Sequence, residues 1–402
     1  MAAIGKEKDK NPTVKSDMFP RFKRELDYTK EAVNKRCDWL EKMTGTKIKH
    51  LRAFSEDPNN TKGNIENLIG MTQVPIGITG PLLIDGDYAK GTFFVPMATT
   101  EGALITDYGT GMLLVTKSGG VRVSILSNTI HISPVFLVCN LDKAKELIKW
   151  IDANFKNIKA EAEKTTHHGK LLAIKPIIAG RRLILKFCYD SGDAQGLNMI
   201  NKATEAACTY IQNATKTEYY LRSKYSAVKN VSMSNIYQGY GRAVFAEAVI
   251  QKNLLKFFGT TPEAMNKYST SGMLVSVHSG IVGMTAHIAN AIAGIYIACG
   301  QDVADVSTSH IGISMCEVTE EGDLYISLYI PNLLVGTVGG GTGLATQKEC
   351  LNIMDCYGSN KVNKFAEIVT AACLAGELSV LLALVTGVYV EAHEKLGRNK
   401  TK

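Results

Sequence analysis

The sequence predicts an α+β protein in which a small ferredoxin-like unit is inserted into a larger domain. The chain of 402 residues is too long for one compact core, so two or three domains are expected. A hydrophobic content of 45% with 36 glycines is typical of a globular protein. Between residues 132 and 228 the pattern runs strand, helix, strand, strand, helix, which favours a split βαβ unit over a doubly wound sheet.

Hydrophobic periodicity and turn residues predict the individual elements. In the first helix, an apolar stripe of Val33, Cys37, Leu40 and Met43 recurs at helical spacing, and glycine with β-branched residues dominates the segment that follows. The expected elements are a disordered start over about 1–15, a helix over 28–43, short strands and tight turns over 65–96, a strand beginning near 134, a helix over 142–163, strands over 171–179 and 183–189 joined by a turn at 180–182, a loop running into a helix over 191–211, a helix over 283–299 ending at Gly300, and a helix over 365–392 ending at Gly397.

These elements suggest three regions. Residues 1–69 form an N-terminal helical region, residues 70–131 and 229–402 a large domain, and residues 132–228 a small domain. The chain has no internal repeat and no low-complexity linker, so we expect the regions to pack closely.

Charge and cysteine content exclude several functional classes. The net charge of +7 comes from 45 basic and 38 acidic residues that are scattered, which is typical of a solvated surface and not of a nucleic-acid interface. Nine cysteines without a Cys-x-x-Cys pair indicate a reducing compartment, with no disulfide framework and no metal site. The N-terminus has no apolar signal region, and the apolar stretch at 378–390 is too short to span a bilayer, so we expect a soluble, cytoplasmic protein with no membrane anchor in this chain.

Five segments have a composition that is unusual for an ordinary core. They are ENLIGMTQVPIGITGPL (66–82), PMATTEGAL (96–104), GDAQGLNM (192–199), ACGQDVAD (298–305) and VGTVGGGTGL (335–344). In this order they resemble hydroxymethylglutaryl-CoA (HMG-CoA) reductase, closest to the class of eukaryotes and archaea, over about residues 28–398. The resemblance implies an HMG-CoA reductase-like large domain, a ferredoxin-like cofactor-binding domain in place of a Rossmann unit, and reduction of an acyl-CoA thioester to an alcohol by two hydride transfers.

Four residues match the family's catalytic positions. Glu101, in ATTEG, is the implied proton donor near the carbonyl, a role that burial of the carboxyl would support. Lys229 is implied to stabilise the thioester oxygen, and Asp302 to share and order its protons at the negative end of the preceding helix. His393 is implied to protonate the departing thiolate from a mobile C-terminal flap.

The cofactor implied by the resemblance is NADPH, with NADH as the alternative. In GDAQGLNM, glycine would let the backbone approach the cofactor at a helix N-terminus, where phosphate is favoured. Thr166 and His167 stand in place of the family's Ser-Arg pair, which binds the extra phosphate of NADPH. They keep only part of the basic character of that pair. The implied cofactor-binding residues are Asp193, Gly196, Asn198, Thr166 and His167.

The substrate side departs from the family pattern. Asn290, Asn230 and Gly340 are implied to line the substrate site, and His287 is equally compatible with a core position. Asn230, Ile132 and Thr270 stand where the family has cations, and GTGML (109–113) lacks both arginines of the corresponding segment. Three alternatives therefore remain: HMG-CoA with cations supplied by a partner subunit, a less acidic acyl thioester, or a non-catalytic homologue. The resemblance also implies a homo-oligomer with the active site at the dimer interface.

Overall fold

The computed structural model describes residues 18–166 and 168–396, apart from the side chains of 392 and 393. The predicted disorder at the start of the chain and the predicted helix end at Gly397 lie outside the described residues. The chain forms two compact units, Met1–Val74 and Pro75–Lys402. The three-region division expected from the sequence stays a prediction.

Ten strands and twelve α-helices are found in the described residues. The strands are β1 Ile76–Gly86, β2 Lys90–Ala98, β3 Val121–Ile132, β4 Val135–Leu137, β5 Lys170–Ala179, β6 Arg182–Asp190, β7 Tyr219–Tyr220, β8 Gly241–Ile250, β9 Ile313–Val318 and β10 Leu324–Leu333. The helices are α1 Lys30–Thr44, α2 Leu104–Lys117, α3 Leu141–Glu163, α4 Leu197–Thr215, α5 Met233–Gln238, α6 Lys252–Phe257, α7 Pro262–Ser279, α8 Ile288–Ala298, α9 Val306–Ser309, α10 Ala345–Ile353, α11 Val362–Thr386 and α12 Tyr389–Leu396.

The first unit is built around α1, the helix that the sequence predicts. Thr29 caps its N-terminus by accepting the Ala32 N–H, and Gly45 ends it in the left-handed conformation. Its apolar face buries Val33 and Cys37 against Leu68. The helix is therefore confirmed, but Met43, which the sequence placed on the same apolar stripe, is exposed.

The second unit is organised by the long strand β3. Residues 122–129 of β3 pair with β8, which continues into β10 and β9, and residues 130–132 pair with β6. One strand therefore belongs to both the large sheet and the small one. It connects the two parts of the fold without a flexible linker.

The small sheet confirms the ferredoxin-like prediction. Its strand order is β7-β4-β6-β5, and every neighbouring pair is antiparallel. The chain order β4-α3-β5-β6-α4-β7 is that of a split βαβ unit. Helices α3 and α4 pack together over a core that includes Phe136, Ile151, Phe187 and Ile211.

Two helix predictions need correction near their ends. The helix expected over 283–299 begins only at Ile288, because the backbone of Met284 bridges to β9. The helix expected to run to residue 392 is two helices, since Gly387 takes a left-handed φ of 78° and ends α11.

Helix α11 forms the centre of the large domain. It packs against α2, α8, β8 and β3, and almost all of its residues up to Leu382 are buried. With 25 residues and a mean hydropathy of 2.2 over its most apolar window, it is long and apolar enough to cross a membrane. The apolar stretch 378–390 considered in the sequence covers only the last part of this helix and the residues after it. However, 78% of that window is buried inside the fold, as expected of a core helix.

Candidate active site

The geometry of the site begins with an ion pair between two of the four predicted catalytic residues. Lys229 Nζ lies 2.6 Å from Asp302 Oδ2. Lys229 takes a left-handed φ of 56°, which turns the chain sharply after Val228. Asp302 caps the 3₁₀ turn Val303–Asp305 by accepting the Ala304 N–H at 3.1 Å. Both side chains remain more than one-third exposed, so a substrate can approach them.

The glycine-rich segment 335–344 holds the turn that carries Asp302. A Cβ on Gly300 would lie 2.3 Å from the Gly341 carbonyl oxygen, so only glycine allows this approach. Gln301 exchanges two side-chain hydrogen bonds with the Gly336 backbone, at 2.8 and 3.0 Å. Gly336 in turn packs on the backbone nitrogen of Gln195. Three predicted motif segments therefore converge on one place.

The GDAQGLNM segment contains the N-terminus of α4. Gly196 precedes the helix with a left-handed φ of 85°, and no side chain caps the first turn. A Cβ on Gly196 would lie 2.4 Å from Ser191 Cβ. The N–H groups and the helix dipole at the start of this 19-residue helix favour a phosphate group. These residues therefore fit a dinucleotide cofactor.

The other predicted cofactor residues take different positions. Asp193 accepts N–H bonds from Asn360 and Val362, so its carboxylate holds the start of α11. Asn198 is exposed in the first turn of α4. Thr166 accepts the N–H groups of the turn after α3, and the predicted neighbour His167 lies outside the described residues.

Glu101 lies at the edge of a largely apolar cavity. The cavity has a volume of about 240 Å³ and lies between α2, α11 and α12. The Glu101 side chain is exposed, so burial that would support its role as proton donor is not provided within one chain. In the described part of the chain, no hydrogen bond or ion pair joins Glu101 to Lys229 or Asp302.

A hydrogen-bonded group next to this cavity positions Asn290. Its Nδ2 donates to His287 Nδ1 at 3.1 Å, and His287 Nε2 lies 2.9 Å from Asp107 Oδ2. Ser379 donates to the other Asp107 oxygen at 2.6 Å. The sequence left His287 open between core and site. The ring lies at the cavity wall and is stacked on Tyr108.

Two further predicted residues are located only by their backbone. Gly340 is exposed in the 3₁₀ turn Gly340–Gly343, beside the Gly300 contact. His393 lies within α12, and its side chain is not among those described. Leu396 and Tyr389 of the same helix line the cavity that also contains Glu101.

The structure places the three positions where the sequence lacks the expected cations. Ile132 is buried at the end of β3, Asn230 bonds its own loop at Val228, and Thr270 is exposed on α7. A cation that the sequence analysis missed is Lys186, which is buried and donates to Gln238 at 2.6 Å. Burial lowers the Lys186 pKa.

The sequence analysis also missed Asp305, which lies in the ACGQDVAD segment. Its carboxyl is fully buried and accepts a hydrogen bond from Gln195. Two aspartates three residues apart in one short turn were the available signal. The two carboxyls are close enough for the charge of Asp302 to raise the pKa of Asp305.

The fold combines a larger α+β part with a ferredoxin-like unit, and the N-terminus of α4 in that unit lies in the same assembly of segments as the lysine–aspartate pair. A family model described as hydroxymethylglutaryl-coenzyme A reductase matches residues 32–398. The chain belongs to that family.

The relatives extend over nearly the whole chain. The 3-hydroxy-3-methylglutaryl-coenzyme A reductase of Methanocaldococcus jannaschii is 42% identical over 380 residues, covering 92% of this chain and 94% of the relative. That of Pyrococcus horikoshii is 40% identical over 370 residues, covering 89% and 90%. Both are archaeal, as the sequence resemblance implies.

A solved structure supports the fold. The class II 3-hydroxy-3-methylglutaryl-CoA reductase of Streptococcus pneumoniae, bound to NADPH in open conformations, superposes with a TM-score of 0.67. The match covers 81% of this chain and 89% of that chain at 18% identity. At that identity the likeness establishes the shared fold alone.

Proposed function

We propose that this protein reduces HMG-CoA to mevalonate and free CoA, consuming two NADPH. Membership of the family over residues 32–398 supports the reaction. The observation that carries the proposal for this chain is the Lys229–Asp302 pair, 2.6 Å apart, on a turn that is packed against the cofactor segment through Gly336 and Gln195. Among the described residues the ammonium group forms a direct ion pair with Asp302 alone, and it remains accessible to substrate.

The cofactor is held by the ferredoxin-like domain in this proposal. NADPH, when bound, supplies the hydride for each of the two reductions. The N-terminus of α4 and Gly196 bind its phosphates, with Asn198 in the first helical turn. Thr166 and His167 contribute next to the extra phosphate, whereas Asp193 acts by fixing the loop before α11.

Lys229 stabilises the oxygen on which charge develops in both reductions. Its ammonium group donates to the carbonyl oxygen as this becomes an alkoxide, first in the thioester and then in the aldehyde. The carboxylate of Asp302 holds the ammonium group in place and is its ion-pair partner when substrate is absent. Removal of one such donor typically costs about 10²–10³ in kcat.

Glu101 and His393 complete the proton transfers. The hemithioacetal formed by the first hydride breaks its C–S bond, and His393 protonates the departing CoA thiolate. Glu101 delivers the proton that turns the final alkoxide into an alcohol. Asn290, held by His287, and Gly340 line the substrate site. Two hydrides and two protons thus convert the thioester into an alcohol and a thiol.

A second copy of the chain brings Glu101 to the lysine–aspartate pair. Glu101 and the pair are not in contact within one chain, and the large domain exposes apolar side chains on and beside α7. Leu274, Val275, Val277 and Ile281 are each at least 60% exposed. Such a run is typical of a protein interface, so a homodimer with shared active sites is the proposed assembly. All nine cysteines are free, which suits the reducing cytoplasm.

The reaction is tested by following NADPH absorbance with purified protein and HMG-CoA. NADPH is consumed only when HMG-CoA is present, and mevalonate accumulates. Sedimentation of the same protein reports a dimer. NADPH binding without any consumption, in a dimeric and folded sample, would overturn the proposal.

A second substrate is favoured by one specific observation. Ile132 and Thr270 are uncharged where a far carboxylate would need cations, and an unpaired buried carboxylate costs several kcal/mol. The alternative is the same reduction of a less acidic acyl thioester. A higher kcat/KM for acetoacetyl-CoA or butyryl-CoA than for HMG-CoA identifies this alternative. The reverse order supports HMG-CoA.

A further inference from the structure

Asp305 is a buried acid that connects the cofactor segment to the lysine–aspartate turn. Its side chain is 1% exposed. Gln195, in the loop before α4, donates its Nε2 to Asp305 Oδ2. The other oxygen, Oδ1, has no hydrogen-bond partner among the described residues. The Asp305 backbone N–H closes the 3₁₀ turn by donating to the Asp302 carbonyl at 3.0 Å.

The groups that face Asp305 come from four parts of the fold. Asp302 lies on its own turn, and Lys229 on the loop after β7. Tyr240, just before β8, and Tyr296, on α8, also interact with its charge. Burial and the nearby Asp302 raise the pKa of Asp305 from 3.8 to about 7, while Lys229 and Gln195 act in the opposite direction. The carboxyl therefore changes its charge near neutral pH.

We propose that Asp305 is a positioning residue for the reduction: it ties the Gln195 loop to the Asp302 turn, and its ionisation weakens the action of Lys229 on the developing alkoxide. The inference rests on the proposed function. It concerns the charge next to the catalytic pair and not the identity of the acyl group.

The direction of the effect follows from the charges. While Asp305 is protonated, Lys229 and Asp302 form a neutral pair, and the ammonium can stabilise an alkoxide. Once Asp305 ionises, two carboxylates face one ammonium. The potential at the substrate oxygen then becomes more negative, which disfavours an alkoxide there and weakens binding of the anionic cofactor. Activity and cofactor affinity therefore fall as pH rises through neutrality.

The first test compares pH profiles of the wild type and Asp305→Asn. Asparagine keeps the shape of the protonated acid but cannot ionise. From about pH 6 to about pH 9, we expect kcat/KM of the wild type to fall about tenfold more than that of Asp305→Asn. Asp152→Asn, an exposed aspartate on α3, is the matched control and keeps the wild-type profile. Identical profiles for the wild type and Asp305→Asn would overturn the inference.

The second variant removes only the link to the cofactor segment. Gln195→Met deletes the donor that stabilises the Asp305 anion, so ionisation moves to higher pH. The pH at which kcat/KM falls therefore increases by about one pH unit in Gln195→Met. If kcat/KM of Gln195→Met falls at the same pH as in the wild type, or at a lower pH, the role of Asp305 is contradicted.

A binding measurement keeps this inference separate from the proposed reaction. The NADPH dissociation constant is measured by fluorescence over the same pH range, without any acyl-CoA. We expect the dissociation constant of the wild type, divided by that of Asp305→Asn, to rise with pH. The titration of the cofactor's own phosphate affects both proteins equally and cancels in this ratio. If the ratio rises but no acyl-CoA is reduced, the proposed function fails, and only the effect of the Asp305 charge on cofactor binding stands. A ratio independent of pH overturns the inference, whatever the activity.

Discussion

Lys229 Nζ and Asp302 Oδ2 form an ion pair of 2.6 Å with both side chains close to 40% exposed. An exposed pair of this kind contributes only about 0–1 kcal/mol to folding. Lys229 also adopts a left-handed backbone, which is costly for a residue other than glycine. Because neither feature stabilises the fold, the arrangement is better explained by the chemistry of the site.

Replacement of Lys229 separates activity from stability. In Lys229→Met we expect kcat to fall about 10²–10³-fold, because the donor to the developing alkoxide is lost. The free energy of unfolding changes by less than about 1 kcal/mol. Steady-state kinetics and urea unfolding measure the two effects. Lys149→Met, an exposed lysine on α3, serves as the control and keeps full activity. A Lys229→Met enzyme with near-normal kcat would remove this residue from the mechanism.

Substitution of Gly196 tests the cofactor segment. In Gly196→Ala the new Cβ would meet Ser191 Cβ at 2.4 Å, and the backbone is left-handed. We expect NADPH to bind about tenfold or more weakly, measured by fluorescence titration, because the start of α4 must shift. Gly192→Ala is a matched control: its φ is also positive, at 61°, but its Cβ would meet nothing within 4 Å. Equal losses in both variants would indicate backbone strain instead of the close approach.

Asp305 makes stability depend on pH. Its folded pKa of about 7 lies above the ordinary value of 3.8, so its favourable contribution is complete below 3.8 and is lost as pH rises through about 7. At about 1.4 kcal/mol for each pH unit, this interval corresponds to about 4 kcal/mol. Asp305→Asn should therefore gain stability relative to the wild type between about pH 5 and about pH 8. Urea unfolding of both proteins at these two pH values measures the gain in the free energy of unfolding. A difference between the two proteins that does not change with pH would contradict the prediction.

Glu367 anchors the turn between β1 and β2 to α11. It is completely buried and accepts the N–H groups of Asp87, Tyr88 and Ala89 at 3.2, 2.9 and 2.6 Å. Glu367→Ala leaves all three donors without a partner, so we expect a loss of about 3 kcal/mol or more in the free energy of unfolding.

Two controls accompany the Glu367 measurement. Glu367→Gln retains an acceptor oxygen, so its free energy of unfolding falls by less than that of Glu367→Ala, because part of the hydrogen bonding is kept. Glu349→Ala removes an exposed carboxylate on α10 and changes the free energy of unfolding by about 0.5 kcal/mol at most. If Glu367→Ala behaved like Glu349→Ala in urea unfolding, the anchoring role would be excluded.

Local patterns predicted much of the fold. The stripe at Val33 and Cys37 gave α1, and the strand-helix-strand-strand-helix order gave the ferredoxin-like sheet. Periodicity missed the break at Gly387, because apolar residues continue on both sides of it. It also missed how β3 serves two sheets, since pairing partners far apart in sequence leave no local signal.

The site was predicted by motif and not by geometry. Lys229 and Asp302, 73 positions apart, were assigned separately, and the structure adds their contact. The ATTEG motif identified Glu101 but carried no information on its burial, and a single chain leaves that carboxylate exposed. Asp305 escaped notice because its importance depends on Gln195, a partner 110 residues away in the chain.

The stoichiometry of the reaction tests the central claim most directly. Purified protein is incubated with limiting HMG-CoA and excess NADPH, and NADP⁺, mevalonate and free CoA thiol are quantified at completion. We expect two NADP⁺ for every mevalonate and every thiol formed, with no product from Lys229→Met on the same timescale. A ratio of one, accumulation of free aldehyde, or no turnover by a dimeric protein that binds NADPH would contradict the account.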